Sequence, residues 1–174
     1  MNILVAGIHG VGKTFLATQC AEQLGFIYVS ASQLIREERD FATWNIDKYV
    51  GEIDENQVAL ISAVQRHNSN GRRLLLDGHF VLLDQGGRTS QIEASVFASL
   101  RLDRVILIEN DLDTILFRNE SRGSQRWSAN LIKDLLSAER AHAQSVCREL
   151  ELDLVVLMAP TVESFSKAVA NGTV

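Results

Sequence analysis

The segment that most constrains this chain is residues 7–14, with the sequence GIHGVGKT. It matches G-x-x-x-x-G-K-T, directly follows the apolar run Ile3-Leu4-Val5-Ala6, and precedes a helical pattern that begins near Phe15. A phosphate-binding loop requires this order of strand, glycine-rich turn and helix. Glycine backbones adopt conformations closed to other residues, so that successive N–H groups face phosphate oxygens at the helix start. The segment therefore predicts a nucleoside triphosphate site.

This triphosphate site assigns roles to particular residues. We expect Lys13 to reach the β- and γ-phosphates of ATP, and Thr14 to place its hydroxyl on Mg²⁺. His9 occupies a variable position of the pattern, where its backbone matters more than its ring. ATP and Mg²⁺ are the expected cofactors, and the predicted ATP-binding residues of this segment are Gly7, His9, Gly10, Val11, Gly12, Lys13, Thr14 and Phe15.

Short apolar runs alternate with helical patterns along the chain. Strands are predicted at residues 2–6, 26–29, 73–77, 105–108 and 154–157. Helices are predicted at 13–24, 32–40, 54–68, 90–100, 112–121, 129–150 and 162–171. Three strands are continuously apolar, as is typical of strands buried on both faces. The pattern predicts an α/β, three-layer fold with a five-stranded parallel sheet, in one domain over residues 1–174.

Charge and hydropathy narrow the range of partners. The net charge of −5 argues against a surface built to bind nucleic acid, because such surfaces are usually strongly basic. No apolar run approaches membrane-spanning length, and the first predicted strand begins near Asn2, so we expect a cytoplasmic protein with no membrane partner. Cys20 and Cys147 lie far apart in helical patterns, which favours buried free thiols over a disulfide or a metal site.

A second motif ends the apolar run 74–76 in an acidic residue, Asp77. Ligands of parallel sheets bind beyond the carboxyl ends of the strands, so Asp77 is expected to face the phosphate loop. There it would support Mg²⁺ together with Thr14. The alternative is an aspartate that only caps the following turn.

With these two motifs the sequence resembles the adenylate kinase and nucleoside-monophosphate kinase group, most closely its compact, archaeal-type branch. The segment VSASQLIRE at 29–37 is similar to the family's I-S-T-G-D-L-L-R-E, and DGHFV at 77–81 is similar to D-G-F-P-R. Residues 112–118, followed by Arg122, resemble the helix that enters the lid, and residues 158–162 resemble the loop that closes over adenine. The order of these segments follows the family along nearly the whole chain.

The resemblance implies roles for residues outside the phosphate loop. Arg36 falls on the arginine that grips the acceptor phosphate, in an acceptor-binding region of about residues 30–70. Arg118 falls on the arginine that stacks on adenine, and Arg122 on one that contacts phosphates, in a short lid of about residues 118–128. Pro160 lies in the adenine loop.

The spacing of three arginines supports a phosphate-binding role independently of the resemblance. Arg118, Arg122 and Arg126 recur at a spacing of four, and like charges so placed on a helix repel each other. A polyphosphate would neutralise them through bidentate hydrogen bonds, above all in the transition state of phosphoryl transfer. We therefore expect all three to be catalytic, alongside Lys13 and Asp77. The alternative is a solvated basic face balanced by Asp111, Asp113 and Glu120.

The departures from the family concern the acceptor. The family's T-G-D is replaced by Ala31-Ser32-Gln33, and Val81 stands where the arginine of D-G-F-P-R is expected. Arg88 is a candidate for the missing charge and Gln91 for reading a base. His79 is a candidate for orienting the acceptor, although a hydrogen-bonded structural histidine explains it equally well. The segment 41–49 brings aromatic residues and Lys48 to this side, for base stacking or for a core-forming cap.

Together these features predict an ATP- and Mg²⁺-dependent kinase that phosphorylates a small molecule, a nucleoside monophosphate or a similarly sized phosphorylated or hydroxylated acceptor. One rival is a regulatory or assembly ATPase of the same fold with a protein or RNA partner. Another is a polynucleotide 5′-hydroxyl kinase. Such an enzyme needs a basic groove, and the net negative charge of this chain gives no indication of one.

Overall fold

Five strands form one parallel sheet in the computed structural model, which describes residues 2–40, 52–83, 88–121 and 127–171, with only the backbone at 52–54. They are β1 (Asn2–Ala6), β2 (Ile27–Ser30), β3 (Leu74–Gly78), β6 (Leu102–Glu109) and β7 (Asp153–Met158). Their spatial order is β2-β3-β1-β6-β7, and each neighbouring pair is parallel. The predicted α/β fold is confirmed.

Helices cover both faces of the sheet. They are α1 (Lys13–Cys20), α2 (Ala31–Asp40), α3 (Glu52–Ser69), α4 (Ala94–Ser99), α5 (Leu112–Ser121), α6 (Ala129–Glu149) and α7 (Val162–Ala170). Alternate residues of β1 enter two separate cores: Ile3 and Val5 pack in one with α1 and α7, and Leu4 and Ala6 pack in the other with α3 and α4. This division explains why the runs 3–6, 74–76 and 105–108 of the central strands are apolar at every position.

The prediction of a helix at 90–100 is wrong in its first part. Residues Thr89–Gln91 form a short strand, β5, that pairs antiparallel with β4 (Val81–Leu83), and the helix covers only Ala94–Ser99. The backbone N–H of Ile92 donates to the Phe80 carbonyl at 3.0 Å, which extends this pairing. Residues 89–91 form a strand rather than a helix because β4 supplies partners for their backbone hydrogen bonds. The helical periodicity of the local sequence does not reveal this pairing.

The predicted first helix, 13–24, is also shorter than expected. α1 ends at Cys20, and a 3-10 turn, Glu22–Leu24, continues it up to Gly25. Gly25 has a φ of 73°, a left-handed conformation that ends the helix and directs the chain into β2. Within the described residues, no helix is both long and apolar enough to cross a membrane.

Candidate active site

The phosphate loop connects β1 to α1 at the carboxyl edge of the sheet. Gly7, Gly10 and Gly12 have φ values of 136°, 91° and 110°, conformations that residues with a Cβ rarely adopt. At Gly10 a side chain would also lie 2.9 Å from Asn119 Oδ1. The three glycines are therefore required by backbone conformation, and the helix after them begins at Lys13 as a phosphate loop requires.

Lys13, Thr14 and Asp77 converge beside this loop. Lys13 Nζ donates to the Gly7 carbonyl at 2.5 Å and lies 3.5 Å from Asp77 Oδ1. Thr14 Oγ1 donates to Asp77 Oδ2 at 3.4 Å. A hydroxyl and a carboxylate at this distance form an oxygen donor set that suits Mg²⁺ together with phosphate oxygens. The structure thus brings the predicted Mg²⁺ residues together with the predicted phosphate-binding lysine.

Tyr28 is a residue of this site that sequence reasoning missed. Its hydroxyl donates to Asp77 Oδ2 at 2.9 Å from the neighbouring strand β2. Burial first, and then the nearby Asp77 carboxylate, raise the pKa of Tyr28 to about 12, so the hydroxyl remains a donor near neutrality. The available signal was strand alternation, because Tyr28 and Ser30 share the face opposite to buried Val29.

Glu139 is the second missed residue, and it is almost fully buried in the middle of α6. Its carboxylate accepts hydrogen bonds from the backbone N–H groups of Gly7 at 3.2 Å, Phe80 at 2.9 Å and Val81 at 2.8 Å. Burial raises the pKa of Glu139, although these hydrogen bonds oppose the shift. The available signal was a glutamate in the series Leu131, Leu135, Glu139, where helical spacing predicts an apolar side chain.

Arg118, predicted to contact the donor nucleotide, lies against the phosphate loop. Its Nη1 donates to the carbonyls of Gly10 and Val11, both at 3.0 Å. Asn110 Nδ2 donates to the same Val11 carbonyl at 3.3 Å. The helix that carries Arg118 is therefore joined to the loop through backbone carbonyls. Arg122 and Arg126 lie outside the described residues.

Two further predicted donor-side residues lie at the same edge of the sheet. Phe15 follows Thr14 in the first turn of α1, and its side chain is exposed. Pro160 follows β7, where the backbone N–H of Ala159 donates to the Glu109 carbonyl at 2.8 Å. Ala159 has a φ of 44°, so the chain turns sharply before Pro160. A nucleotide base beside this turn stays a prediction.

His79 lies beside His9 at the entrance to the loop. Their ring centroids are 4.6 Å apart, and the Trp127 ring is 5.9 Å from His9. Burial, and then the positive charge of Lys13, lower the pKa of His79 well below its ordinary value. This shift favours the neutral imidazole. A role of His79 in orienting the acceptor stays a prediction.

A cavity of about 700 Å³ extends from Lys13 and Asp77 toward α2, α3 and α4. Its volume lies within the range of small-molecule sites, roughly 300–1,000 Å³. Polar residues, among them Ser30, Ser32 and Gln33, line it together with apolar side chains, among them Leu60, Val96 and Phe97. Its lining combines residues from the regions around 4–14, 28–35, 56–60, 76–82 and 92–100.

Of the predicted acceptor residues, His79 lines this cavity. The side chain of Arg36 is exposed on α2, and its neighbours Ile35 and Gln33 line the cavity instead. Arg88 and Gln91 are exposed at the hairpin and are likewise absent from the described lining. The aromatic segment 41–49 lies outside the described residues. The structure thus does not bring Arg36, Arg88 and Gln91 together with Asp77.

The family model described as "AAA domain" matches residues 6–133, which include the phosphate loop, Asp77 and Arg118. The chain belongs to this AAA domain family. Over 169 residues it is 24% identical to the Caenorhabditis elegans "Adenylate kinase isoenzyme 6 homolog", with 93% of this chain and 85% of that protein covered. The chain is an adenylate kinase-like P-loop kinase, which confirms the family resemblance of its motifs.

Solved structures resemble this AAA-domain chain over almost its whole length. A sugar kinase from a Janibacter species has a TM-score of 0.58 at 17% identity, with 98% of this chain and 92% of that chain covered. A deoxyadenosine kinase from M. mycoides has a TM-score of 0.55 at 14% identity, with 98% and 96% covered. At these identities the likeness shows the fold, and it confirms the three-layer architecture.

Proposed function

We propose that this protein is an ATP- and Mg²⁺-dependent phosphotransferase that moves the γ-phosphoryl group of ATP to a small acceptor, a nucleoside monophosphate or a molecule of similar size. The observation that carries this proposal is that Lys13, Thr14 and Asp77 line a cavity of about 700 Å³ that extends beyond the phosphate loop to residues of α2, α3 and α4. An ATPase needs space only for a water molecule beside the γ-phosphate. The part of the cavity beyond the loop supports a second substrate.

The described residues have distinct tasks in this proposal. The N–H groups of the loop and the Lys13 ammonium bind the β- and γ-phosphates, and Arg118 adds positive charge beside the loop. Thr14 and Asp77 hold Mg²⁺, which when bound neutralises phosphate charge and orients the phosphates. Catalysis then depends mainly on positioning and charge neutralisation. Arg122 and Arg126 complete the lid in this proposal.

The test is an ATP-consumption screen against nucleoside monophosphates, nucleosides and small alcohols, with mass detection of the phosphorylated product. Lys13→Ala serves as the blank, because it removes the phosphate-binding ammonium. Lys167→Ala is the matched control, because Lys167 is exposed on α7 and pairs with Glu163. The proposal predicts one product and one ADP per ATP consumed, and a loss of turnover only in Lys13→Ala. ATP hydrolysis that ignores every small acceptor but responds to a protein or RNA partner would contradict it.

A further inference from the structure

We infer that the phosphoryl acceptor is an uncharged alcohol with an apolar or aromatic body, the chemistry of a nucleoside, rather than a phosphate monoester. This inference rests on the proposed phosphotransferase activity and specifies its second substrate. It is carried by two observations on the cavity: the charges of its described lining residues and the apolar side chains among them.

The cavity has little positive charge to offer a second phosphate. Among its described lining residues, Lys13 and Asp77 are the only lysine, arginine, aspartate or glutamate. Lys13 already donates to the Gly7 and Ile8 carbonyls and lies beside Asp77, in the position that serves the phosphates of ATP. A phosphate monoester would therefore bring a dianion next to ATP and the Asp77 carboxylate without a described cation of its own. Burying an unpaired charge in this way is strongly unfavourable.

The arginines of α2 and α3 have other partners or other positions. Arg39 donates to Asn56 Oδ1 at 3.0 Å and lies 3.5 Å from Glu55. Arg66 binds the Glu38 carboxylate at 2.9 Å, a contact that joins α2 to α3. Arg36 projects to solvent outside the described cavity lining. Arg39 and Arg66 of the described acceptor region thus pair with side chains of α2 and α3 rather than face the cavity, which fits an acceptor that carries no charge.

The uncharged lining of the cavity is of two kinds. It offers hydroxyl and amide groups, namely Ser30, Ser32, Gln33, Asn56 and Gln57. It also contains apolar side chains, among them Leu60, Ile92, Val96, Phe97 and Leu100. A polyol that fills this space would leave hydroxyl groups without partners against the apolar side chains, at a cost for each. A molecule that combines hydroxyl groups with an aromatic or apolar body matches both kinds of lining.

The chemical step is transfer to a hydroxyl group. The acceptor hydroxyl oxygen attacks the γ-phosphorus of ATP, a new O–P bond forms, and the bond between the γ-phosphorus and the β,γ-bridging oxygen breaks. The electron pair of that bond leaves with ADP, and the hydroxyl proton is released to water. Asp77 keeps its role beside Mg²⁺, with its carboxylate held by the 2.9 Å hydrogen bond from Tyr28. The products are ADP and the phosphate monoester of the alcohol.

The test compares matched acceptors that differ only in the 5′-phosphate. The protein, ATP and Mg²⁺ are incubated with adenosine, guanosine, cytidine, uridine or thymidine, or with the corresponding 5′-monophosphates, and products are identified by mass. We expect kcat/KM for the preferred nucleoside to exceed that for its monophosphate by at least about tenfold. Preferred phosphorylation of a monophosphate would overturn this inference and leave the proposed function standing. Transfer to neither class nor to the small alcohols of the wider screen would overturn both.

A charge introduced into the cavity provides a second test. Leu82 lines the cavity on β4 and its side chain is 38% exposed, so a longer polar side chain fits there. Leu82→Arg is expected to shift the kcat/KM ratio toward monophosphates by about tenfold, and the uncharged Leu82→Gln is expected not to do so. Gln57→Arg, judged against Gln57→Leu, repeats the measurement if Leu82→Arg fails to fold. An added arginine that leaves the ratio unchanged would count against the inference.

Discussion

Glu139 on α6 accepts a hydrogen bond from the backbone N–H of Gly7, the first residue of the phosphate loop, at 3.2 Å. The same carboxylate accepts from the N–H groups of Phe80 and Val81, which follow β3. One buried side chain therefore holds the loop and the segment beyond Asp77 in a common position. Three backbone donors at the carboxyl edge of the sheet depend on it.

Glu139→Gln is expected to lower the free energy of unfolding by about 1–3 kcal/mol, because the amide N–H₂ would face a buried backbone donor that needs an acceptor. Urea unfolding followed by circular dichroism measures this change. Glu149→Gln is the matched control at an exposed position of the same helix, where a change within about 0.5 kcal/mol is expected. Equal free energies of unfolding for Glu139→Gln and the wild type would show that the three hydrogen bonds do not contribute measurably to stability.

Tyr28→Phe is expected to raise the Mg²⁺ concentration needed for half-maximal activity. The phenol hydroxyl orients Asp77, and the loss of a group that orients a metal ligand typically costs roughly 10–100-fold in metal affinity or activity. Steady-state kinetics over a Mg²⁺ titration measure the change, with thermal melting to confirm that the variant folds. An activity loss that excess Mg²⁺ fails to reduce, with a lowered melting temperature, would indicate a packing role for the ring instead.

Arg118→Lys is expected to weaken ATP binding although the positive charge is retained. The guanidinium Nη1 donates to two loop carbonyls at 3.0 Å, and an ammonium on a flexible stem does not reproduce that planar contact. We expect the Kd for ATP to rise about tenfold, which corresponds to about 1.4 kcal/mol. Isothermal titration calorimetry measures it, with Arg148→Lys as a control at an exposed position of α6. An unchanged Kd would show that the charge alone matters.

Asp111 connects stability to pH at the start of α5. Its Oδ1 accepts from the backbone N–H of Thr114 at 2.8 Å and its Oδ2 from the Thr114 hydroxyl at 2.7 Å, in the manner of a helix N-cap. These hydrogen bonds lower the pKa of Asp111. A group with a lowered folded-state pKa contributes stability above its unfolded pKa of about 3.9, and this contribution is lost as the pH falls through the folded value.

The expected result is a melting-temperature difference between wild type and Asp111→Ala that is full at pH 7 and shrinks below about pH 4. Asp111→Asn retains a capping oxygen without a titrating group, so it is expected to destabilise the protein less than alanine at pH 7. Differential scanning calorimetry across this pH range measures all three proteins. If the melting-temperature difference between the wild type and Asp111→Ala does not change with pH, the ionised Asp111 carboxylate is not the source of that difference.

Local sequence patterns were enough to predict much of the fold. Most predicted strand ends lie within one or two residues of the observed ends. Continuous apolar runs bounded by glycine and polar residues indicate buried parallel strands, which made this accuracy possible. β6 is the exception, since it begins at Leu102 rather than near 105. The β4–β5 hairpin was missed because its short strands depend on pairing with each other. Polar Thr89–Gln91 has no apolar alternation of its own.

The residues of the candidate site also fall into those predicted from the sequence and those that were missed. Lys13, Thr14 and Asp77 were predicted from motifs, because phosphate chemistry restricts residue type and spacing near the loop. Arg118 was predicted from the family resemblance and from the spacing of the arginines. Tyr28 and Glu139 were missed, because each acts through a hydrogen bond to a residue at least 49 positions away in the chain. Arg36 was expected in the acceptor site from the resemblance alone. Its exposed position could be seen only once α2 was packed against α3.

The sequence by itself determined the phosphate loop of this protein. A glycine-rich loop between a strand and a helix binds phosphate through local backbone geometry, which eight consecutive residues specify. Only the tertiary structure decided the shape and charge of the cavity beside Asp77, because its lining comes from segments spread between Leu4 and Leu100. Side chains from such distant positions meet through packing, and packing determines which cations face the cavity and which pair elsewhere.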